Sequence, residues 1–210
     1  MKKVSADDND KSLKEEVLAG VKRYQDFGAS RDVVRIGAGA YYVTSGGAAV
    51  LSAVLGSCIS VCVRDPRTGI GGMNHFMLPT SERRESSRPN LDLRLGTHSM
   101  EVLLNAVLSK NCKRTDLEGK VFGGADLFGY KKPVGTLNGD FALSYLAREG
   151  IVVVAADVGG RRPRRVEYSP NTGAARVKLI EDRMVAEVRN AEETYVRQIR
   201  SVPPQKPDFF

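Results

Sequence analysis

A chain of 210 residues, 41% hydrophobic and 27% charged, is long enough to bury one substantial core, so a single main domain with short appendages is expected. No run approaches the roughly 18 apolar residues of a membrane span, and the N-terminal MKKVSADDNDKSLKEE lacks a signal peptide's apolar stretch, so no membrane insertion and a cytoplasmic location are expected. The formal charge of +7 admits an acidic partner or nucleic acid. However, no aromatic-interleaved motif or recognition helix accompanies the one basic cluster, Arg161 to Arg165, and nucleic acid is not an expected partner.

Residues 1 to 32 are polar, with Leu13, Val17 and Val21 at helical spacing, and read as an N-terminal helical extension. From Val33 the pattern changes to apolar runs punctuated by glycine, VVRIGAGAYYV and AAVLSAVLG, which suit short strands. CISVCVRD and GIGGMNHFML follow, joined through Asp65-Pro66-Arg67-Thr68-Gly69 as a hairpin. SERRESSRPNLDLRLGT reads as a mobile loop that ends at Thr97, the N-cap of a helix carrying Met100, Leu103, Leu104, Val107 and Leu108 on one face.

KVFGGADLF reads as a strand, and Asn138 to Arg148 as a second helix stopped by Gly150. IVVVAADVGG reads as a buried strand, while RVEYS and AARVKLI form a second hairpin. Residues 181 to 210 read as a charged helix with a proline-rich tail, outside a domain spanning 33 to 180. Grouped strands with two main covering helices predict an α+β fold built on a mixed, largely antiparallel, layered sheet.

Three cysteines without C-x-x-C spacing predict free thiols and neither a disulfide framework nor a structural metal. The segment LSAVLGSCISVCVRDPRTGIGGMNHFMLP brings Cys58, His75 and the hydroxyl of Ser52 into one stretch. A turn centred between Pro66 and Arg67 makes Cys58 face His75, with Cβ atoms roughly 4.5 to 5.5 Å apart; a bulge at Gly69 would slip that register by one. A neighbouring imidazolium raises the thiolate fraction available for attack on a carbonyl carbon. Gly56 and Ser57 allow a close backbone approach whose N–H groups could face an oxyanion. No acid adjoins His75 in sequence, so a backbone carbonyl or a hydroxyl must orient the ring, and Ser52 is a candidate. The plain alternative is that Cys58 and His75 are core residues, as is expected of Cys62 and Cys112.

LGSCISVCVRDP and GGMNHFMLP, in that order and spacing, resemble the CheD family of chemoreceptor glutamine deamidases. The resemblance continues through VFGGADLF, AADVGGRRPRRVEY and TGAARVKLI. It implies a protein-glutamine glutaminase with Cys58 as nucleophile, His75 as general base and acid, and Ser52 where the family has a threonine. It further implies no cofactor, the cytoplasmic helical region of methyl-accepting chemotaxis receptors as substrate, and a CheC-type phosphatase as partner. The sequence departs from the family pattern near Leu95 and His98, where an aromatic and an acidic residue are usual. Two other classes stand beside this one: a non-enzymatic adaptor, for which Cys58 is dispensable, and a basic nucleic-acid binder with salt-dependent affinity. Docking of the arginine cluster on an acidic receptor face would suit either of the first two readings.

Overall fold

The computed structural model describes residues 20–26, 31–45, 47–78, 89–127, 129 and 134–201. Ten strands form two five-stranded sheets among the described residues. The first sheet holds β1 (Val21–Asp26), β2 (Arg31–Ile36), β4 (Val50–Leu55), β9 (Arg164–Tyr168) and β10 (Ala175–Leu179), in that order across the sheet. The second runs β3 (Tyr41–Thr44), β6 (Gly71–Asn74), β5 (Ile59–Arg64), β7 (Glu118–Gly123), β8 (Val152–Val158). Each sheet has one parallel pair, β2 with β4 and β7 with β8, and is otherwise antiparallel. The expected α+β class therefore holds, with the layered sheet resolved into two.

Strand alternation sets the layers. Leu51, Ala53 and Leu55 of β4 meet Cys62, Met73 and Phe122 of the second sheet in a core between the sheets. Ile59, Val61 and Val63 of β5 point the other way, under α1 (Pro89–Leu108) and α2 (Val134–Arg148). Met100, Leu103, Leu104 and Val107 of α1 are buried there, at the helical spacing their sequence carries. Val54 lies on the opposite face of β4 and packs on Met184, Val188 and Ala191, where α3 (Val185–Ser201) covers the first sheet.

Several elements differ from the sequence reading. Helix α1 begins at Pro89, inside the expected loop, because proline with its missing N–H and fixed φ is accommodated in a first helical turn; Thr97 is thus mid-helix rather than an N-cap. It closes through Asn111 in the left-handed region at φ 63°. Val21–Asp26 is an edge strand rather than a helix end, paired along its length with β2; Leu13 and Val17 lie outside the described residues. Strand β8 lies at a sheet edge with Val152, Val154 and Val158 exposed, so its apolar run does not mark a buried strand. Arg164, part of the basic cluster considered for docking, is turned inward: it is 3% exposed and its guanidinium donates to Asp157 and to the Gly159 carbonyl.

Candidate active site

Cys58 and His75 are both fully buried. The hairpin between their strands closes through a four-residue loop, Pro66 to Gly69, with Asp65 N–H donating to Ile70 O at 2.9 Å and Gly69 N–H to Asp65 O at 2.9 Å. The pairing is therefore Cys62 with Met73 and Val63 with Gly72, two residues away from the two-residue turn expected from sequence. Because side chains alternate with period two, this shift moves His75 off the position opposite Cys58 without changing its face. Met73 and Met77, which flank His75 at that period, belong to the same inter-sheet core as Cys58. Asn74 opens the ladder just before His75: its Oδ1 accepts the Val61 N–H at 2.9 Å, and its Nδ2 reaches Ser99 of α1 at 3.2 Å.

The imidazole is oriented by a backbone carbonyl. His75 Nδ1 lies 3.0 Å from Ile36 O at the end of β2, and Nε2 has no hydrogen-bond partner among the described residues. A ring that donates from Nδ1 carries its lone pair on Nε2, the form required of a general base. Of the two orienting groups expected, the carbonyl holds this position. Ser52 is buried on β4 in register with Arg35 of β2, the neighbour of Ile36. It shares the face of Val54, away from the inter-sheet core that contains Leu51 and Ala53.

Ahead of Cys58 the chain bends through Gly56 and Ser57, and its peptide groups are aligned by the surrounding scaffold. The Gly56 carbonyl accepts from Ala125 N–H at 2.7 Å, the Ser57 carbonyl from Asn138 Nδ2 at 2.7 Å, and the Cys58 carbonyl from Gly124 N–H at 2.8 Å. Since C=O and N–H point opposite ways across a trans peptide, fixing the Gly56 and Ser57 carbonyls aims the Ser57 and Cys58 N–H groups at the other side. There they converge with Gly56 N–H into an anion-binding nest. Asn138, fully buried on α2, also accepts the Leu78 N–H at 2.9 Å and so ties the His75 strand to the Cys58 bend.

The nest is filled by the carboxylate of Glu192, from α3. Its Oε1 accepts Gly56 N–H at 3.1 Å and Cys58 N–H at 3.0 Å; its Oε2 accepts Ser57 N–H at 3.0 Å and Ser57 Oγ–H at 2.7 Å. Glu192 is 1% exposed. Burial pushes the Cys58 thiol well above its ordinary range, and the Glu192 charge and hydrogen bond push it further. Burial also holds the His75 imidazole below its usual range, against the opposing effects of the Ile36 carbonyl and Glu192. Burial thus favours the neutral form of both groups.

Glu192, Asn138 and the Ile36 carbonyl were not found by sequence reasoning. The first two left a signal. Val188, Ala191 and Tyr195 mark the apolar stripe of α3, and Val134, Ala142, Tyr145 and Leu146 that of α2; Glu192 and Asn138 are polar residues on those stripes. A buried polar group on an apolar face implies a partner. Cys62 and Cys112 are buried free thiols, as expected of core residues. His98 is exposed on α1 and lines a cavity of about 170 Å³ with Tyr41, Met77, Tyr195 and Ile199, between α1 and α3.

A buried cysteine thus lies beside a backbone anion nest, with a histidine on the same face of a two-sheet α+β core. The family model "CheD chemotactic sensory transduction" matches residues 77–179. A protein of Caulobacter sp. strain K31 named "Probable chemoreceptor glutamine deamidase CheD" is 44% identical over 157 residues, covering 74% of this chain and 82% of its own. Proteins of the same name from Herminiimonas arsenicoxydans and Rhizobium etli are each 42% identical, covering 85% and 86% of this chain and 88% and 94% of their own. The chain belongs to the CheD family. A solved structure, the Bacillus licheniformis hypothetical protein YfiH, overlaps 57% of this chain and 51% of its own at a TM-score of 0.41 and 11% identity, too distant to add to that assignment.

Proposed function

We propose that the protein is a cysteine-dependent deamidase that converts glutamine side chains on the cytoplasmic helical region of methyl-accepting chemotaxis receptors to glutamate. The observation that supports it most is the nest at Gly56, Ser57 and Cys58, which holds a glutamate carboxylate beside the thiol. A site that binds this group is matched to the product of glutamine hydrolysis. It is also matched to the oxygen of the tetrahedral intermediate that precedes it, because converging N–H groups stabilise developing negative charge.

In this reaction His75 takes the Cys58 proton, and the thiolate adds to the carboxamide carbon. The C=O pair moves to oxygen, where the nest's N–H groups receive it. The C–N bond then breaks as His75 returns the proton, and ammonia leaves a thioester. Water, deprotonated by His75, adds to the thioester, and collapse expels Cys58 to leave glutamate. The Ile36 carbonyl is the group that orients the imidazole in this reading; Ser52, whose side chain faces away from the inter-sheet core, pairs through β4 with Arg35 beside it. The added charge changes repulsion between receptor helices without adding bulk, which tunes signalling and adaptation.

A cytoplasmic location is proposed with that substrate, and among the described residues no helix is long and apolar enough to cross a membrane. A CheC-type phosphatase as partner rests on the family relationship. Ammonia release from receptor cytoplasmic fragments tests the reading. Release is expected with the natural chain and absent with Cys58→Ala; equal release by both removes the thiol mechanism, and fragments that bind without losing ammonia favour an adaptor.

A further inference from the structure

The catalytic bend, as folded, has no room for a substrate. Its three N–H donors and the Ser57 hydroxyl are all spent on Glu192. A Cβ added at Gly56 would lie 2.8 Å from Glu192 Oε1, so the side chain is seated directly on the backbone. A carboxylate on a helix, delivered to the nest beside Cys58, has the chemistry of a deamidated glutamine on a receptor helix. We propose that α3 occupies the substrate site as a built-in product analogue, so that a glutamine-bearing helix docks only after α3 has left. This rests on the deamidase reading above and extends it: Glu192 marks where the substrate carboxamide is read. Val188 and Ala191, one turn and one residue before it, mark the apolar and small positions expected on the incoming helix.

The way α3 is held suits an occupant that can depart. Val188 and Ala191, with Met184 just before the helix, pack against Val54 and Ile180 with Leu127 at the margin, and Tyr195 and Val196 lean on the inter-sheet core. Beyond Glu192, Tyr195 and Ile199 also border the cavity against α1. Arg197 pairs with Glu193 of the same helix, so that ion pair travels with α3. Release of this one helix is a local opening, less costly than global unfolding.

The test is alkylation of Cys58 by iodoacetamide in the full chain, followed by peptide mass, with Glu192→Ala removing the carboxylate and Val188→Asp removing the apolar anchor. Cys62, deep in the inter-sheet core, and Cys112, in the core under α1 and α2, report whether the fold itself has opened. Modification of Cys58 should be about tenfold faster or more in both variants, with Cys62 and Cys112 still protected. A Cys58 rate unchanged in either folded variant, or one that rises only together with the rate at Cys62, overturns the proposal. Receptor fragments separate it from the deamidase reading. Accelerated alkylation with no change in any fragment retains the occupant and rejects that substrate, whereas deamidation with no effect of either variant on Cys58 does the reverse.

Discussion

Glu192 Oε1 lies 3.0 Å from the peptide nitrogen of Cys58, although 134 residues separate them in the chain. The same carboxylate adds to the upward push on the Cys58 thiol and opposes the downward push on the His75 imidazole. One acidic side chain thus biases the ionisation of both groups that the chemistry requires.

Acid should destabilise the protein through His75. Its pKa is held below the ordinary value of 6.5, chiefly by burial, so below that pH the unfolded chain binds a proton that the folded chain resists. Stability present above pH 6.5 is therefore lost as pH falls from there toward the folded-state pKa. Urea titrations between pH 7 and pH 5 should show this loss, and His75→Gln should flatten it; an unchanged slope in the variant would place the acid sensitivity elsewhere.

Asn138→Ala orphans the Ser57 carbonyl and the Leu78 N–H, both buried. Each orphaned group should cost about 1–3 kcal/mol of stability, measurable by denaturant unfolding. Asn138→Asp keeps the acceptor for Leu78 but removes the donor to Ser57, so the Cys58 peptide loses its alignment. Its kcat should fall more than its KM rises, since the nest acts on charge that develops in the reaction.

Gly123 sits at φ 111°, and a Cβ there would collide with the Cys58 carbonyl oxygen. Gly123→Ala should cost about 1–3 kcal/mol and reduce deamidation together with stability, because relief of the clash must move the Cys58 backbone. Thermal melts and turnover measured on the same preparation would check this; a variant stable but inactive, or active but unstable, would separate the two effects.

Arg164 exchanges the expected docking role for an internal one. Arg164→Ala leaves the Gly159 and Asp157 carbonyls without their buried donor, and should cost about 2 kcal/mol in unfolding measurements. Receptor binding by the folded fraction should be unchanged.

Legibility in the sequence followed the range of the interaction. The hairpins and the α1 stripe from Met100 to Val107 depend on local patterning, and each was readable to that extent. The register was not, because the Asp65 carboxylate caps Arg67 N–H at 2.9 Å and widens the turn to four residues. Nor was the strand break at Asn74, where a side chain replaces a backbone partner. Residues 181 to 201 looked like an appendage by charge, yet they carry Glu192 into the site, a pairing no local pattern encodes. The exposed face of β8 illustrates the converse: an apolar run fixes strand character, while its place at the sheet edge is decided by topology.

The most direct measurement is the mass of receptor cytoplasmic fragments after incubation in oxygen-18 water, with the natural chain, Cys58→Ala and His75→Ala compared. Hydrolysis of a Cys58 thioester should replace NH2 with labelled oxygen and add about three daltons per modified glutamine, with both variants inactive. Labelled glutamate formed as readily by Cys58→Ala, or none formed by the natural chain and by Glu192→Ala alike, would contradict a thiol-dependent deamidase.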